Sequence, residues 1–346
     1  MPFFEKRTFY CNNSETFTFQ RKSLQQTTNR PQTDHKQTRS GFVSVIGKPN
    51  AGKSTLLNQL IQSPLALVSQ KANATRKRMD FIVPFENERI DSQIIFIDTP
   101  GLSLITEKDS NLQTKSRHTL NQYMTHEAYR ALGDCDMCLF VVAANANDIV
   151  FYTEFLRKCT KPHIIVLNKI DKVQHHQLLA CIRQYQKFQQ HYLALIPLCA
   201  IKLQTRQKDS LLLEIASALP IHPHFYDDSL ASTTLLRDIY KEAIREAIFE
   251  RMNDEIPYQS DVRILTVTEK ARLVSISAQI ITEKDSQKSM CIGKNGATIK
   301  ALGKLARIKC ENIANKKVFL SLQVQTVRGW SKDTKKLAQM GYRRIE

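Results

Sequence analysis

The segment GKPNAGKST, residues 47–55, has residue types and spacing suited to binding phosphate. It matches the pattern GxxxxGK[ST], it follows an apolar run typical of a strand, and it begins a run typical of a helix. In that context the glycines let backbone N–H groups approach phosphate oxygens, and the helix N-terminus adds positive potential. Lys53 would neutralise the β- and γ-phosphates of a nucleotide, and the Ser54 hydroxyl would bind Mg²⁺. The nucleotide-binding residues predicted here are Gly47, Lys48, Pro49, Asn50, Ala51, Gly52, Lys53, Ser54 and Thr55.

A second segment, IDTPG, supplies a carboxylate at the end of a strand predicted near 92–98. Ligands of open α/β sheets bind at the carboxyl ends of the strands, so we expect Asp98 to lie near the phosphates and to hold Mg²⁺. Gly101 can turn its backbone N–H towards a γ-phosphate, and the charged stretch 102–118 is typical of a switch segment. We expect Thr75, in KANATRKRM, to complete the Mg²⁺ shell. The nucleotide-binding residues predicted in IDTPG are Asp98, Thr99, Pro100 and Gly101.

A third segment, HIIVLNKID, predicts which base is bound. It ends a strand in Asn168, Lys169 and Asp171 at the spacing N-K-x-D. The carboxylate of Asp171 accepts two N–H groups that guanine presents on one edge and adenine does not, so ATP would leave a charge unpaired. Further along, Cys199 and Ala200 in IPLCAIK are predicted to offer backbone N–H groups to the guanine oxygen. The three segments, in this order, predict a domain that binds GTP and GDP.

The elements that position these residues alternate between strand and helix patterns. Helical stretches separate five predicted strands, at 41–47 and near 92–98, 137–143, 162–168 and 193–199. This alternation predicts βαβ units and a mostly parallel, doubly wound sheet of the P-loop type, which makes the fold class α/β. Two prolines and several short polar residues then break the periodicity near 219–232, so a linker is predicted there.

Beyond the linker the pattern predicts a smaller α+β domain. The expected elements, in chain order, are a helix over 233–252, strands over 262–268 and 272–282, a turn at 293–296, a helix to about 308 and a strand over 317–325. The turn is a GxxG, by which KH domains clamp about four nucleotides through the backbone, and the order of elements resembles the type II KH fold. The predicted RNA-binding residues are Gly293, Lys294, Asn295, Gly296, Lys300 and Lys304.

The charge of the chain is strongly positive and unevenly distributed. The formal net charge is +17 over 346 residues, and residues 284–346 hold 15 Lys and Arg against 4 Asp and Glu. Such an excess is typical of proteins that bind polyanions, either nucleic acid or an acidic membrane surface. No apolar run is long enough to span a bilayer. The eight cysteines are scattered, which predicts reduced thiols and a cytoplasmic setting.

Three other stretches are assigned no chemistry. Residues 1–40 are polar and aperiodic, so we expect disorder, and the stretch reads either as a targeting presequence or as an extension from a misplaced start codon. The CxxC of Cys135 and Cys138 lies in a strand pattern and is predicted to be core. Four linker residues are expected to be solvated rather than to bind a metal: His222, His224, Asp227 and Asp228.

GKPNAGKST, KANATR, DTPG and NKID, followed by SQKSMCIGKNGATIKALG and GWSKDTKKLAQMGY, together resemble the Era family of bacterial ribosome-assembly GTPases over residues 41–346. The resemblance implies a KH domain that binds the 3′ end of 16S ribosomal RNA and a role in assembly of the 30S subunit. Leu102 stands where small signalling GTPases place a water-orienting glutamine, so we expect slow hydrolysis. Ala74 and Cys199 replace a threonine and a serine that are common in the family.

Asn50 looks like the asparagine with which related GTPases hold a K⁺ ion against the phosphates, where an extra cation would offset developing negative charge. The predicted catalytic residues are thus Lys53, Gly101 and Asn50, and the predicted metal ligands are Ser54, Thr75 and Asp98. Two alternatives stay open, namely a non-hydrolysing RNA-binding assembly factor and a GTPase whose basic C-terminus meets acidic lipid at the inner face of the cell membrane. We expect a monomer.

These expectations divide the chain into five parts. They are a disordered extension (1–40), a GTPase domain (41–219), a linker (220–232), a type II KH domain (233–330) and a basic C-terminal tail (331–346).

Overall fold

The computed structural model describes most of the chain. The described residues are 36–62, 65–66, 75–100, 119–227, 230–253 and 255–342, together with the backbone of two strands near the N-terminus. The predicted switch 102–118, Gly101, Ala74 and Asp228 lie outside them. None of the described helices is both long and apolar enough to cross a membrane.

The first half of the described chain is built on a six-stranded sheet. Its strand order is β4-β5-β3-β6-β7-β8, and every neighbouring pair is parallel except the antiparallel edge pair of β4 and β5. The continuous apolar runs in the central strands agree with burial on both faces of the sheet. The strands are β3 (Gln37–Ile46), β4 (Met79–Glu86), β5 (Ile90–Asp98), β6 (Met137–Ala143), β7 (His163–Asn168) and β8 (Ala194–Pro197).

Helices cover both faces of this sheet. Leucines of α1 and α5 pack in a core on one face, and residues of α2, α3 and α4 pack in a second core on the other face. The predicted doubly wound α/β fold is therefore confirmed. The helices are α1 (Lys53–Ile61), α2 (Thr119–Asp134), α3 (Ile149–Lys158), α4 (His175–Gln186) and α5 (Thr205–Ala218).

The second domain has a three-stranded sheet in the order β11-β10-β9, with β9 antiparallel and β11 parallel to β10. Its long helices share one apolar core with the sheet. The parallel pair on one side and the GxxG between two helices confirm the predicted type II KH arrangement. The elements are α6 (Leu236–Arg251), α7 (Ile256–Gln259), β9 (Ser260–Glu269), β10 (Leu273–Thr282), α8 (Asp285–Ile292), α9 (Ala297–Ala314), β11 (Lys317–Thr326) and α10 (Thr334–Gln339).

The structure differs from the sequence-based expectations at both ends of the chain. Within the predicted disordered segment, β1 (Phe4–Cys11) and β2 (Glu15–Lys22) pair as antiparallel strands, in a stretch rich in the Thr and Phe that favour strands. At the C-terminus, the stretch predicted as a tail contains α10. Its apolar residues belong to a buried cluster that joins the two domains, made of Leu120, Tyr123, Met124, Ile281, Trp330, Leu337, Met340 and Tyr342.

The predicted linker follows the first domain closely. Ile221 forms an antiparallel bridge with Arg39, and Ser232 forms one with Phe81. The amide of Gln93 donates to the carbonyl of Tyr226 over 2.8 Å. The prolines and short polar residues that break the helical period therefore permit an extended path along the sheet. The exact domain boundaries stay predictions.

Candidate functional site

The glycines of the phosphate loop stand where a side chain has no room. A Cβ at Gly47 would lie 2.2 Å from the carbonyl oxygen of Val141, and a Cβ at Gly52 would lie 2.2 Å from the amide nitrogen of Asn168. Gly52 also adopts the left-handed region, with φ of 97°, directly before α1 begins. The loop is thereby shaped so that its backbone can surround a phosphate chain at the helix N-terminus.

Lys53 is held inside this loop. Its side chain is buried, and Nζ donates to the carbonyl oxygens of Gly47 over 2.9 Å and Lys48 over 3.1 Å. Burial lowers the pKa of Lys53 to about 8, although the carboxylate of Asp98 opposes that shift. The ammonium group is thus preorganised for anionic oxygens at the mouth of the loop.

Three oxygen-bearing side chains meet beside Lys53, as the sequence predicts for a metal site. Ser54 Oγ donates to Asp98 Oδ2 over 3.2 Å and lies 3.5 Å from Thr75 Oγ1. Asp98 Oδ1 is buried without a hydrogen-bond partner among the described residues. Burial raises the pKa of Asp98 to about 6, with Lys53 and Ser54 opposing the shift. Hard oxygen ligands around an unsatisfied carboxylate oxygen fit Mg²⁺, which would relieve the cost of that burial.

Asn168 ties the predicted base-binding segments to the phosphate loop. Its Nδ2 donates to the carbonyl of Ala51 over 2.9 Å, and its Oδ1 accepts from the backbone amides of Lys169 and Ala200 over 2.7 and 2.9 Å. Lys169 is itself left-handed, with φ of 60°, and its amine donates to the carbonyl of Asn50. Asn168 therefore fixes three loops at one sheet edge. Because Ala200 N–H is engaged by Asn168, its predicted contact with guanine stays a prediction.

Asp171 lies at the same edge, in a short 3₁₀ turn, Ile170–Lys172, that follows β7. The thiol of Cys199 donates to Asp171 Oδ1 over 3.0 Å. Burial raises the pKa of Cys199, and the hydrogen bond to Asp171 acts in the same direction, so the thiol keeps its proton. The sequence predicted only a backbone role for Cys199. Its side chain also orients the carboxylate that is predicted to recognise guanine.

Of the other residues predicted at the nucleotide site, Thr99, Pro100 and Thr55 are described by the structure and Gly101 is not. Thr99 is buried, and its hydroxyl donates to the carbonyl of Val45 over 2.9 Å, so it fixes the end of β5. Pro100 is buried after it, and Thr55 lies in the first turn of α1. Gly101 is outside the described residues, and its predicted role is not tested.

The GxxG forms a second glycine-bounded turn, between α8 and α9. Gly293, Asn295 and Gly296 all have positive φ, of 74°, 50° and 75°. A Cβ at Gly293 would lie 2.1 Å from Thr298 Oγ1, whereas a Cβ at Gly296 would meet no atom within 4 Å. The turn therefore leaves its outer side open to a long ligand, and α9 begins directly after it.

The basic residues near the GxxG do not all face solvent. Lys294, Lys300, Lys304 and Arg307 are exposed. Lys309 is instead half-buried and forms ion pairs with two carboxylates of α6, Glu246 at 3.0 Å and Glu250 at 2.7 Å. The exposed basic face therefore ends before Lys309, and it contains the predicted Lys300 and Lys304.

The residues expected to have structural roles are core or partnered. All seven cysteines with described side chains are free and buried, including Cys135 and Cys138. Within the described part of the chain, no three or more His, Cys, Asp or Glu side chains form a group that could hold a metal ion. His222 stacks on Phe225, with ring centroids 4.3 Å apart.

One important residue escaped the sequence reasoning. Arg76 follows the predicted metal ligand Thr75 and reads as one of several basic residues in KANATRKRM, yet it is 2% exposed and contacts the second domain. Its position beside Thr75 was the only available signal, since burial at a domain interface leaves no mark on local periodicity.

The fold and the arranged residues together define a P-loop protein of the guanine-nucleotide-binding class that carries a KH domain. Comparison with known proteins agrees. A family model described as "50S ribosome-binding GTPase" matches residues 42–169, and a KH domain model matches residues 255–331.

Relatives with both domains match most of the length of this chain. GTPase Era of Helicobacter pylori strain P12 is 47% identical over 307 residues, covering 88% of this chain and 97% of its own. GTPase Era of Campylobacter concisus is 44% identical and is covered over its full length. A crystal structure of an Era variant from Aquifex aeolicus with GDP and AlF₄⁻ has a TM-score of 0.77 at 30% identity over 88% of this chain and 99% of that one. The chain belongs to the Era family of GTPases.

A second solved structure contains both a guanine nucleotide analogue and RNA. It shows Era with MgGDPNP and nucleotides 1506–1542 of 16S ribosomal RNA, and it has the same TM-score of 0.77 and the same 30% identity to this chain. The resemblance stated from the motifs is thus confirmed.

Proposed function

We propose that this GTPase is a molecular switch that binds the 3′ end of 16S ribosomal RNA through its KH domain and assists assembly of the 30S subunit. The observation that carries the proposal is the meeting of Lys53, Ser54, Thr75 and Asp98 at one sheet edge, in a chain that also has an open glycine turn with exposed lysines. The first site suits one nucleoside triphosphate, and the second suits a polyanion.

The proposed RNA target rests on the Era complex with nucleotides 1506–1542 of 16S ribosomal RNA. In this chain the GxxG backbone, with Lys294, would approach the phosphates, and Lys300 and Lys304 would extend the positive face along α9. Phosphate contacts of this kind set affinity and register, whereas base edges set sequence preference. A single-stranded 3′ end presents both to the turn.

Hydrolysis would use few side chains. Lys53 and the loop amides would bind the β- and γ-phosphates, and Ser54, Thr75 and Asp98 would hold Mg²⁺, which supplies positive charge against the phosphate oxygens when bound. Leu102 cannot orient or deprotonate the attacking water, so we expect a slow intrinsic rate. Asn50 is exposed and left-handed, with φ of 64°, and we propose that it helps to hold K⁺ beside the phosphates.

The test is phosphate release from GTP and from ATP by the full chain, with Mg²⁺. We expect GTP to be preferred by more than about a hundredfold, because ATP leaves the Asp171 carboxylate unpaired. Turnover should be faster in K⁺ than in Na⁺ at equal ionic strength. An Asn50→Ala chain that retains this cation preference would refute the K⁺ proposal alone. Absence of release above the uncatalysed rate would favour the non-hydrolysing alternative.

We further propose that the protein acts as a cytoplasmic monomer, with any membrane contact peripheral. The same basic face would meet RNA phosphates or anionic lipid headgroups, so the two must be compared directly. Binding of a 16S 3′-end oligonucleotide and of anionic vesicles should be measured at one salt concentration. Stronger retention by the vesicles would favour the membrane-surface alternative.

A further inference from the structure

Arg76 connects the GTPase domain to the KH domain at the edge of the metal site. Its guanidinium donates to three backbone carbonyls of the second domain, those of Ser260 over 2.8 Å, Tyr258 over 2.6 Å and Pro257 over 3.2 Å. The carboxylate of Asp261 lies 3.9 Å away. The planar fork of an arginine is suited to several acceptors at once, and a lysine cannot reproduce that geometry.

The pocket that receives Arg76 is rigidly built. Asp261 is fully buried and is paired with Lys241 at 2.8 Å and Arg245 at 3.3 Å, both on α6. Trp330 is also fully buried, and its indole N–H donates to the carbonyl of Gln259. The Arg76 guanidinium lies over the indole ring, 5.8 Å from the ring centroid. Buried charges of this kind keep a fixed geometry because moving any one leaves another unpaired.

Thr75, the residue before Arg76 in the chain, faces the metal site. Thr75 Oγ1 lies 3.5 Å from Ser54 Oγ, and consecutive Cα atoms are about 3.8 Å apart. A guanidinium fixed in the second domain therefore restricts where the Thr75 hydroxyl can lie. Lys77 adds a second tie, since its amine donates to Asp238 of α6 over 3.1 Å.

We propose that Arg76 is a positioning residue through which the KH domain holds Thr75 at the Mg²⁺ site. The proposal rests on the proposed function, since it requires Mg²⁺ and GTP at Ser54 and Asp98. The KH domain is then part of the GTPase site as well as an RNA-binding module. By linkage, recruitment of Thr75 to Mg²⁺ and the γ-phosphate must act back on the Arg76 pocket and on Trp330.

The chain contains its own probe for this coupling. Trp330 is the single tryptophan, so intrinsic tryptophan fluorescence reports on the Arg76 pocket alone. We expect Mg²⁺ with a non-hydrolysable GTP analogue to shift the emission of the full chain relative to GDP. Arg76→Lys should at least halve that shift and raise the Mg²⁺ concentration needed for half-maximal GTP hydrolysis by about tenfold. GDP affinity without Mg²⁺ should stay within about twofold, since Thr75 has no metal to bind there.

Arg78 provides a matched control two residues further on. Its guanidinium pairs with Asp80 at 3.0 Å and Asp134 at 2.7 Å, both in the GTPase domain. Arg78→Ala should therefore leave the fluorescence shift and the Mg²⁺ requirement at wild-type values. Equal behaviour of Arg76→Lys and Arg78→Ala would overturn the inference. Failure of the wild-type chain to bind GTP with Mg²⁺ would instead overturn the proposed function.

A second measurement needs no variant and covers the case in which Arg76→Lys does not fold. Hydrogen exchange of the wild-type chain should be compared with GDP and with the Mg²⁺-bound GTP analogue. We expect the backbone amides of residues 258–261, which lie at the Arg76 pocket, to change protection by about threefold or more between the two states. Identical exchange there, with the expected protection of the phosphate loop, would overturn the inference.

Discussion

The chain contains two glycine turns that each precede a helix, and they differ in how far they are enclosed. Gly52 and Gly296 both have left-handed backbone, with φ of 97° and 75°, one residue before α1 and α9 begin. Lys53, which follows Gly52, is buried, and its amine donates hydrogen bonds to the loop carbonyls. In the second turn, Lys294 is exposed. The same local backbone motif is thus built once inside the protein and once on its surface.

The difference in enclosure explains what each turn can recognise. The phosphate loop is surrounded by β6, by Asn168 and by the metal-site residues. It therefore fits the phosphates of one nucleotide, whose base would reach Asp171. At the GxxG, a Cβ on Gly296 would meet no atom within 4 Å, so this side of the turn has room for the backbone of a polymer. Enclosure gives selectivity for one small ligand, whereas an open basic turn gives affinity that depends on salt.

The largest expected effect comes from removing the enclosed lysine. Lys53→Ala should weaken GTP binding by about a hundredfold, because the buried charge-assisted hydrogen bonds to phosphate are lost without replacement by water. The affinity of the nucleotide-free chain for the 16S 3′-end oligonucleotide should stay within about twofold. Calorimetry for GTP and fluorescence anisotropy for RNA measure the two.

Lys294→Ala is the corresponding variant of the open turn. It should leave GTP affinity unchanged and weaken RNA binding by only about three- to tenfold, because water solvates the vacated position and neighbouring lysines remain. If Lys294→Ala reduced GTP affinity, or if the two lysine variants weakened their ligands equally, enclosure would not be the property that separates the turns.

Sequence reasoning predicted the enclosed site better than its surroundings. The phosphate loop, Asp98 and N-K-x-D follow strands, and the carboxyl ends of parallel strands must share an edge, so their convergence follows from order and spacing alone. The Cys199 thiol contact with Asp171 was missed because it depends on loop conformation. Nothing in the sequence separates Lys309 from the exposed lysines of α9, and its pairing with α6 shows only in the packed structure.

The joint between the domains was the part least accessible from sequence. Arg76 and Trp330 are separated by more than two hundred positions and meet only when both domains are folded. The residues after 330 appeared to be a basic tail because five Lys and Arg stand there against two Asp and Glu. Four apolar residues between 330 and 342 nevertheless supply half of the eight-residue buried cluster: Trp330, Leu337, Met340 and Tyr342.

An intermediate effect is expected at the two glycines of the open turn. Gly293→Ala combines positive φ with a Cβ 2.1 Å from Thr298 Oγ1, while Gly296→Ala suffers from positive φ alone. An L-residue in the left-handed conformation of Gly296 costs about 1 to 2 kcal/mol. Gly293, with φ of 74° and ψ of 173°, lies in a region that only glycine adopts readily. We expect RNA affinity to fall about tenfold for Gly293→Ala and about threefold for Gly296→Ala, with GTP affinity unchanged in both. Equal losses would indicate that the GxxG backbone closes around RNA more tightly than its open side suggests.

The smallest expected effect concerns how the affinity of each turn for its ligand depends on salt concentration. For single-stranded nucleic acid, each neutralised phosphate contributes about 0.7 to the slope of log affinity against log salt concentration. Lys300→Ala should therefore reduce the slope for RNA by about 0.7, and it should weaken binding about threefold at low salt and less at high salt. GTP binding by the same variant should keep its wild-type salt dependence, because Lys300 lies on α9, outside the enclosed loop. A parallel change in the GTP slope would mean that the basic face and the phosphate loop share one electrostatic field, and the contrast between an enclosed and an open turn would then fail.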